Sequence, residues 1–165
     1  MDSFTDAENK FTQLIDLLSH HDTKKMWLSQ IESIVNNEGK ELLRRLLQGH
    51  IDERGLGDIG DTIIGSDNIE RTHKRITERK IKTLFGIINI KRICYSNHGN
   101  KGLFPKDSLL NLPNSLYSFG VQKLIAQEAI RSSFDEGIES IDRMIGLKIS
   151  KRQAEKIILT IPSYF

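Results

Sequence analysis

Four polar or cationic side chains near the C-terminus could make the contacts by which proteins read nucleic acid: Lys151, Arg152, Gln153 and Lys156. Arginine and lysine pair with guanine edges, glutamine pairs with adenine, and the cations also neutralise phosphates. The Gln153 amide has an alternative use, because it stands three residues after Ser150, the spacing of a capping box. A basic helix face that is merely solvated is the ordinary alternative for the whole group.

A second group of cations lies in the middle of the chain. Residues 71–92 hold eight Lys or Arg against one acidic residue, Glu78. Such a run repels itself unless an anion offsets the charge, which favours a phosphate partner. The four residues that we expect to meet phosphates are Lys80, Lys82, Lys91 and Arg92. A solvated strand surface is the alternative.

The first group must be positioned by two short helices within Ser133–Leu159. Ser133 and Glu136 have the spacing of a capping box, and Gly146 is a natural helix stop. Ser150 then begins the next helix. Two capped helices around a tight turn are typical of a helix-turn-helix unit, in which the second helix enters the DNA major groove.

The rest of the chain predicts helices followed by strands. Apolar stripes predict N-terminal helices, with a break at Asn36-Asn37. Residues 55–68 hold four glycines and are predicted to form a loop. We predict no dinucleotide site there, because the strand and the helix that flank such a site are missing. Alternating runs on both sides of Phe85-Gly86 predict a β-hairpin.

The predicted fold class is therefore α+β and mainly helical. It comprises N-terminal helices, a central basic β-hairpin or small antiparallel sheet, and a C-terminal three-helix helix-turn-helix domain. The expected segments are a helical region at 1–54, a Gly-rich loop at 55–68, a basic hairpin with its loop at 69–113, and the DNA-binding domain at 114–165.

Composition excludes several classes of protein. The net charge of +2 divides unevenly, because residues 1–70 hold 7 Lys or Arg and 14 Asp or Glu, whereas residues 71–165 hold 17 and 8. The single cysteine, Cys94, permits no intrachain disulfide, and the five histidines lack metal-ligand spacing. We expect no metal, no cofactor, no enzymatic activity of this chain and no membrane partner. We also expect a cytoplasmic location, because the polar and acidic N-terminus is not a secretory signal.

Several ordered blocks carry a resemblance to a known family. They are Thr83–Gly86, Arg92 with Tyr95, Leu110–Pro113, Ser133–Glu136 and Lys151–Gln153. Together they resemble the N-terminal region of ISKra-type insertion-sequence transposases, over about residues 38–160. In that family the blocks form a basic T-L-F-G hairpin, an L-N-L-P segment and two helices.

The resemblance implies binding to double-stranded DNA at the terminal repeats of a bacterial mobile element. It also implies an RNase-H-like catalytic domain downstream, with acidic residues that hold two divalent metals. The chain stops at Phe165, so we expect a transposase part truncated before that domain and nucleoid-associated when bound to DNA. Two alternatives stay open: an oligomerisation protein or inhibitor that pairs with itself or with full-length transposase, and a stand-alone helix-turn-helix transcriptional regulator.

Overall fold

The computed structural model describes residues 3–160 and confirms the α+β class. The elements follow one another as α1 (Thr5–Ser19), a short 3-10 helix (Thr23–Lys25), α2 (Leu28–Glu53), β1 (Ile63–Ile64), β2 (Glu70–Arg71), β3 (His73–Thr83), β4 (Gly86–Ser96), α3 (Pro105–Leu109), α4 (Phe119–Arg131), α5 (Phe134–Ile145) and α6 (Lys151–Thr160). The sequence also predicts that Ile161 continues the apolar stripe of the last helix and that Pro162 ends it, but both residues lie outside the described range.

The N-terminal helices form an antiparallel pair. Lys10 of α1 makes an ion pair with Glu38 of α2, and Arg45 donates to the Asp6 carbonyl over 3.1 Å. The predicted break at Asn36-Asn37 is wrong, because α2 continues through it. Asparagine costs well under about 1 kcal/mol in a helix interior. Packing of α1 along the same stretch of α2 outweighs so small a penalty.

The predicted hairpin is confirmed as β3 and β4, which form a two-stranded antiparallel sheet. Leu84 and Phe85 make the turn, and Gly86 follows with a φ of 128°. A side chain rarely adopts that φ, which explains the glycine. The Thr83 hydroxyl donates to the Gly86 carbonyl over 2.8 Å. The segment 55–68, predicted as a loop, contains the short strand β1, which pairs antiparallel with β2 just after the segment.

Two compact units divide the chain, and the division cuts through the hairpin. One unit contains the residues up to Arg79 together with Ile88–Leu110. The other contains Lys80–Ile87 and the residues from Asn111 onward. The hairpin tip therefore belongs with the C-terminal helices, whereas its base belongs with α1 and α2.

A buried lysine fastens the end of α2 in the first unit. Lys106 is 2% exposed, and its ammonium donates to the carbonyls of Ile51 over 2.9 Å, Lys91 over 3.2 Å and Gly55. A cation at a helix C-terminus suits the unpaired carbonyls there. Burial lowers the pKa of this ammonium from its ordinary value. The lysine thus joins α2, the following turn and β4.

A carboxylate in the Gly-rich segment of the same unit joins that segment to β3 and β4. Asp58 accepts hydrogen bonds from the Lys74 ammonium and from the Tyr95 hydroxyl, each over 2.8 Å. Tyr95 is fully buried, and its hydroxyl also accepts from the Ile59 N–H over 3.0 Å. The bond from Lys74, then that from Tyr95, lower the pKa of Asp58 to about 2.

We expect Asp58 to make the fold acid-sensitive between about pH 4 and pH 2. A carboxyl whose pKa falls on folding adds stability above its ordinary pKa, and protonation removes that stability as the pH drops through the folded value. The melting temperature should therefore depend less steeply on pH across this range for Asp58→Asn than for the wild type. Asp16→Asn, at an exposed carboxylate on α1, is the matched control. An identical pH profile for Asp58→Asn and the wild type contradicts the assignment.

Candidate nucleic-acid interface

The helix pair α5 and α6 has the local structure that its punctuation predicts. The Glu136 N–H donates to the Ser133 hydroxyl and the Ser133 N–H donates to the Glu136 carboxylate, which completes a capping box. Gly146 ends α5 in the left-handed region, with a φ of 68°. Residues 146–150 form the turn, and Ser150 accepts from the Gln153 N–H over 3.4 Å at the start of α6.

A buried apolar cluster holds the helix pair against α4. Its members are Tyr117, Val121, Ile125, Ile141, Ile149, Ala154 and Ile157. Ile149 lies in the turn between α5 and α6, so the cluster fixes the turn as well as the helices. Because Ala154 and Ile157 take the inner face of α6, the residues at the other positions of its first two turns lie outward.

All four predicted base or phosphate contacts on α6 are exposed: Lys151, Arg152, Gln153 and Lys156. The Lys151 ammonium lies 3.2 Å from the Asp135 carboxylate, with both side chains more than half exposed. An ion pair so open to water is worth little, and a phosphate can replace the carboxylate. Arg152 and Lys156 are the cations of α6 that a nucleic acid would meet first.

Gln153 has the structural use that its spacing left open. Its amide oxygen accepts from the Ser150 N–H over 3.3 Å and from the Tyr117 hydroxyl over 2.9 Å. Bidentate pairing with adenine requires that oxygen as well as the amide nitrogen. The arrangement therefore favours a capping role for Gln153 over a contact with a base.

The hairpin tip approaches α6 through a tyrosine that the sequence argument missed. Lys82 exchanges backbone hydrogen bonds with Leu116 and Ser118, over 2.8 and 2.9 Å. Its ammonium lies 5.1 Å from the centroid of the Tyr117 ring, a cation–π distance. Since the Tyr117 hydroxyl reaches Gln153, one tyrosine connects the tip with the start of α6. Lys80, two residues earlier, is exposed.

A cleft of about 660 Å³ lies beside this tyrosine within the second unit. Its lining combines apolar and polar side chains with one cation, and includes Leu112, Pro113, Tyr117, Phe119, Gln153 and Lys156. The cleft leaves space along the side of α6 that carries Lys156.

Lys91 and Arg92 belong to the other unit, and Arg92 is not a surface cation. Arg92 is only 9% exposed, and its guanidinium lies 3.9 Å from the centroid of the Phe104 ring and pairs with Asp107. Arg79 donates to the same carboxylate over 3.1 Å. Burial lowers the pKa of both guanidinium groups, although arginine stays charged. Lys91 is exposed.

Acidic residues of the chain itself offset half of the basic run at 71–92. Arg71 is 1% exposed and holds Asp67 at 2.6 Å. Lys74 holds Asp58, and Arg79 shares Asp107 with Arg92. The anions that half of the run requires are thus aspartates of this protein. Lys80 and Lys82 remain as candidates for phosphate contact at the tip.

The described residues hold no group of three His, Cys, Asp or Glu that could bind a metal ion. No helix within residues 3–160 is both long and apolar enough to cross a membrane. Comparison of the chain with protein-family models, with curated proteins and with solved structures gives no match.

Proposed function

We propose that the second unit binds double-stranded DNA, with α6 in the major groove. The observation that carries the proposal is the helix-turn-helix arrangement itself, in which caps and a buried cluster turn Arg152 and Lys156 outward at the start of α6. The N-terminal residues of a recognition helix are those that reach base edges. Lys151 joins them when DNA displaces Asp135.

Lys80 and Lys82 contact the phosphate backbone in this proposal. The tip that carries them is bonded to the residues preceding α4, and Lys82 lies over Tyr117. Because the backbone of the tip is held in place, these lysines lose less conformational entropy when they bind a phosphate. Arg92 has no place in the proposed contact because it is buried, and the proposal assigns no contact to Lys91, which belongs to the first unit.

The kind of DNA follows from the family resemblance alone. The T-L-F-G, L-N-L-P and K-R-Q blocks favour the terminal repeats of an insertion sequence, so that the chain serves as the end-binding part of a transposase. We assign no strand cleavage to the chain. A transcriptional regulator would bind DNA through the same face, and the selected DNA sequence distinguishes the two.

We expect Arg152→Ala and Lys156→Ala each to weaken DNA binding by about 1–3 kcal/mol if the side chain meets a base. A side chain that meets a phosphate should instead lower the slope of log K against log salt by about 0.9. The measurement is fluorescence anisotropy with a duplex selected from a random library, at several salt concentrations. Lys123→Ala removes an exposed lysine from α4 and is the matched control.

Two outcomes contradict the proposal. One is selection that yields no duplex bound more tightly than random DNA. The other is an affinity and salt slope for Arg152→Ala and Lys156→Ala that match those of Lys123→Ala. Circular dichroism of each variant confirms that the helices remain, so that loss of binding is not loss of folding.

A further inference from the structure

We infer that the chain self-associates through one face of α2, which seats against the same face of a second copy. Successive helical residues turn by about 100°, so Leu28, Val35, Gly39 and Leu46 lie along one narrow stripe, with Leu43 at its edge. The four large apolar residues of this set are 41–72% exposed. The stripe belongs to the first unit, and self-association does not depend on DNA binding.

The stripe faces neither α1 nor the hairpin, both of which contact α2. Contacts to α1 come from Glu38 and Arg45, about a quarter turn away around the helix. Gln48 bonds to Asn89 of the hairpin from another side of α2. Between residues 8 and 48 the only buried residue is Thr23. This helix pair therefore leaves a large part of its apolar surface open to water.

Two residues of α1 extend the exposed face. The contacts from Lys10 to Glu38 and from Arg45 to Asp6 set Phe11 and Ile15 level with the middle of α2. Phe11 is 55% and Ile15 48% exposed. Because successive helical residues turn by about 100°, these contacts place Phe11 and Ile15 on the side of the helix pair that carries the stripe. The apolar face thus spans two adjacent helices.

The size of this face fits a second protein copy. The 19 residues from Leu28 to Leu46 extend about 28 Å, and two helices are about 20 Å wide, which gives roughly 500 Å². That is near the upper limit for an apolar patch on a monomer and a large part of the ~800 Å² per partner in a stable complex.

The stripe is complementary to itself when two copies run antiparallel. A Cβ added to Gly39 would meet no atom within 4 Å, so this position is a gap in the face. An antiparallel crossing that seats Val35 of one copy against Gly39 of the other also places Leu28 opposite Leu46, because the two pairs of residue numbers have the same sum. Such an isologous pairing repeats every contact twice, and the antiparallel helix dipoles favour it.

The test is sedimentation velocity of the full chain over a range of concentrations, with Trp27 as an optical reporter. Trp27 precedes Leu28, is 78% exposed and is the only tryptophan. We expect a monomer–dimer equilibrium, with a blue shift of tryptophan emission as the dimer forms. A wild-type chain that is monomeric throughout overturns the inference, whatever other proteins or lipids it binds.

Gly39→Glu separates association from folding. Glutamate favours the helix more than glycine does and has open space here, so the monomer should keep its helix content and melting temperature. A charge in the centre of the apolar contact should weaken dimerisation at least about tenfold. Asn37→Glu adds the same charge on the opposite side of α2 and should leave dimerisation unchanged. Equal effects of the two variants overturn the inference.

A mixture of two variants tests the register. Val35→Lys should weaken homodimerisation as Gly39→Glu should, because each homodimer would bury two unpaired charges. Mixed together, they should form a heterodimer in which the introduced lysine meets the introduced glutamate, while the unchanged Val35 and Gly39 meet at the other end. A mixture that remains monomeric overturns the antiparallel pairing of Val35 with Gly39.

Discussion

Replacing Asp107 with asparagine should lower the free energy of unfolding by about 3 kcal/mol. Asp107 is the shared anion of Arg79 and Arg92, and all three side chains are at most 20% exposed. Asparagine keeps the shape but leaves two neighbouring guanidinium groups without a counter-charge, and their mutual repulsion adds to the loss. Urea unfolding monitored by circular dichroism at a fixed protein concentration measures the change.

Asp61→Asn is the control, since the Asp61 carboxylate is fully exposed and lies 4.0 Å from Lys74. An open pair of that kind contributes little, so this variant should match the wild type.

The Asp107 variant also tests the predicted role of Arg92 in DNA binding. If Arg92 met a phosphate, release from Asp107 would raise DNA affinity. We expect no rise, and an increase combined with unchanged stability would restore Arg92 to the interface.

Sequence reasoning succeeded where structure is determined within a few residues. The capping box at Ser133 and Glu136, the stop at Gly146 and the hairpin depend on neighbours in the chain, although the hairpin turn lies one residue before the predicted Phe85-Gly86. Each is a local hydrogen bond or a backbone conformation that one residue type favours. The start of α6 was predictable for the same reason, together with the exposure of Arg152.

It failed where the partners are distant along the chain. Asp58 and Lys74 are 16 residues apart, and Arg79 and Asp107 are 28 apart. Nothing in a local charge count distinguishes a cation that will meet such an aspartate from one that will meet solvent. The acidic Gly-rich segment before a basic strand was the available signal, since opposite charges in adjacent segments can neutralise each other.

The continuous α2 shows a third limit. A pair of asparagines is a weak signal, because helix propensities differ by fractions of a kcal/mol. The same sequence also hid the tyrosine that joins two predicted contact groups. Tyr117 lies in a segment with no periodic pattern, and only the fold brings its ring under Lys82 and its hydroxyl to Gln153.

Ile141→Ala should destabilise the second unit by about 2–5 kcal/mol. Ile141 is 1% exposed and packs in the cluster that joins α4, α5 and α6. Truncation removes apolar contacts and leaves a cavity that the neighbouring side chains fill only in part. Hydrogen exchange resolved by segment measures the effect, with loss of protection expected in residues 119–160 and retained protection in α1 and α2.

Ile130→Ala provides the matched control, because Ile130 is 86% exposed on α4 and should change stability by less than about 0.5 kcal/mol. Ile141 is not itself a proposed DNA contact, so its effect on binding separates two explanations of the basic face. If α6 reads DNA as a positioned helix, affinity should fall with the stability of the cluster. If the cations bind as an unstructured basic segment, affinity should survive the loss of packing and keep its full salt slope, and the helix-turn-helix assignment would then fail.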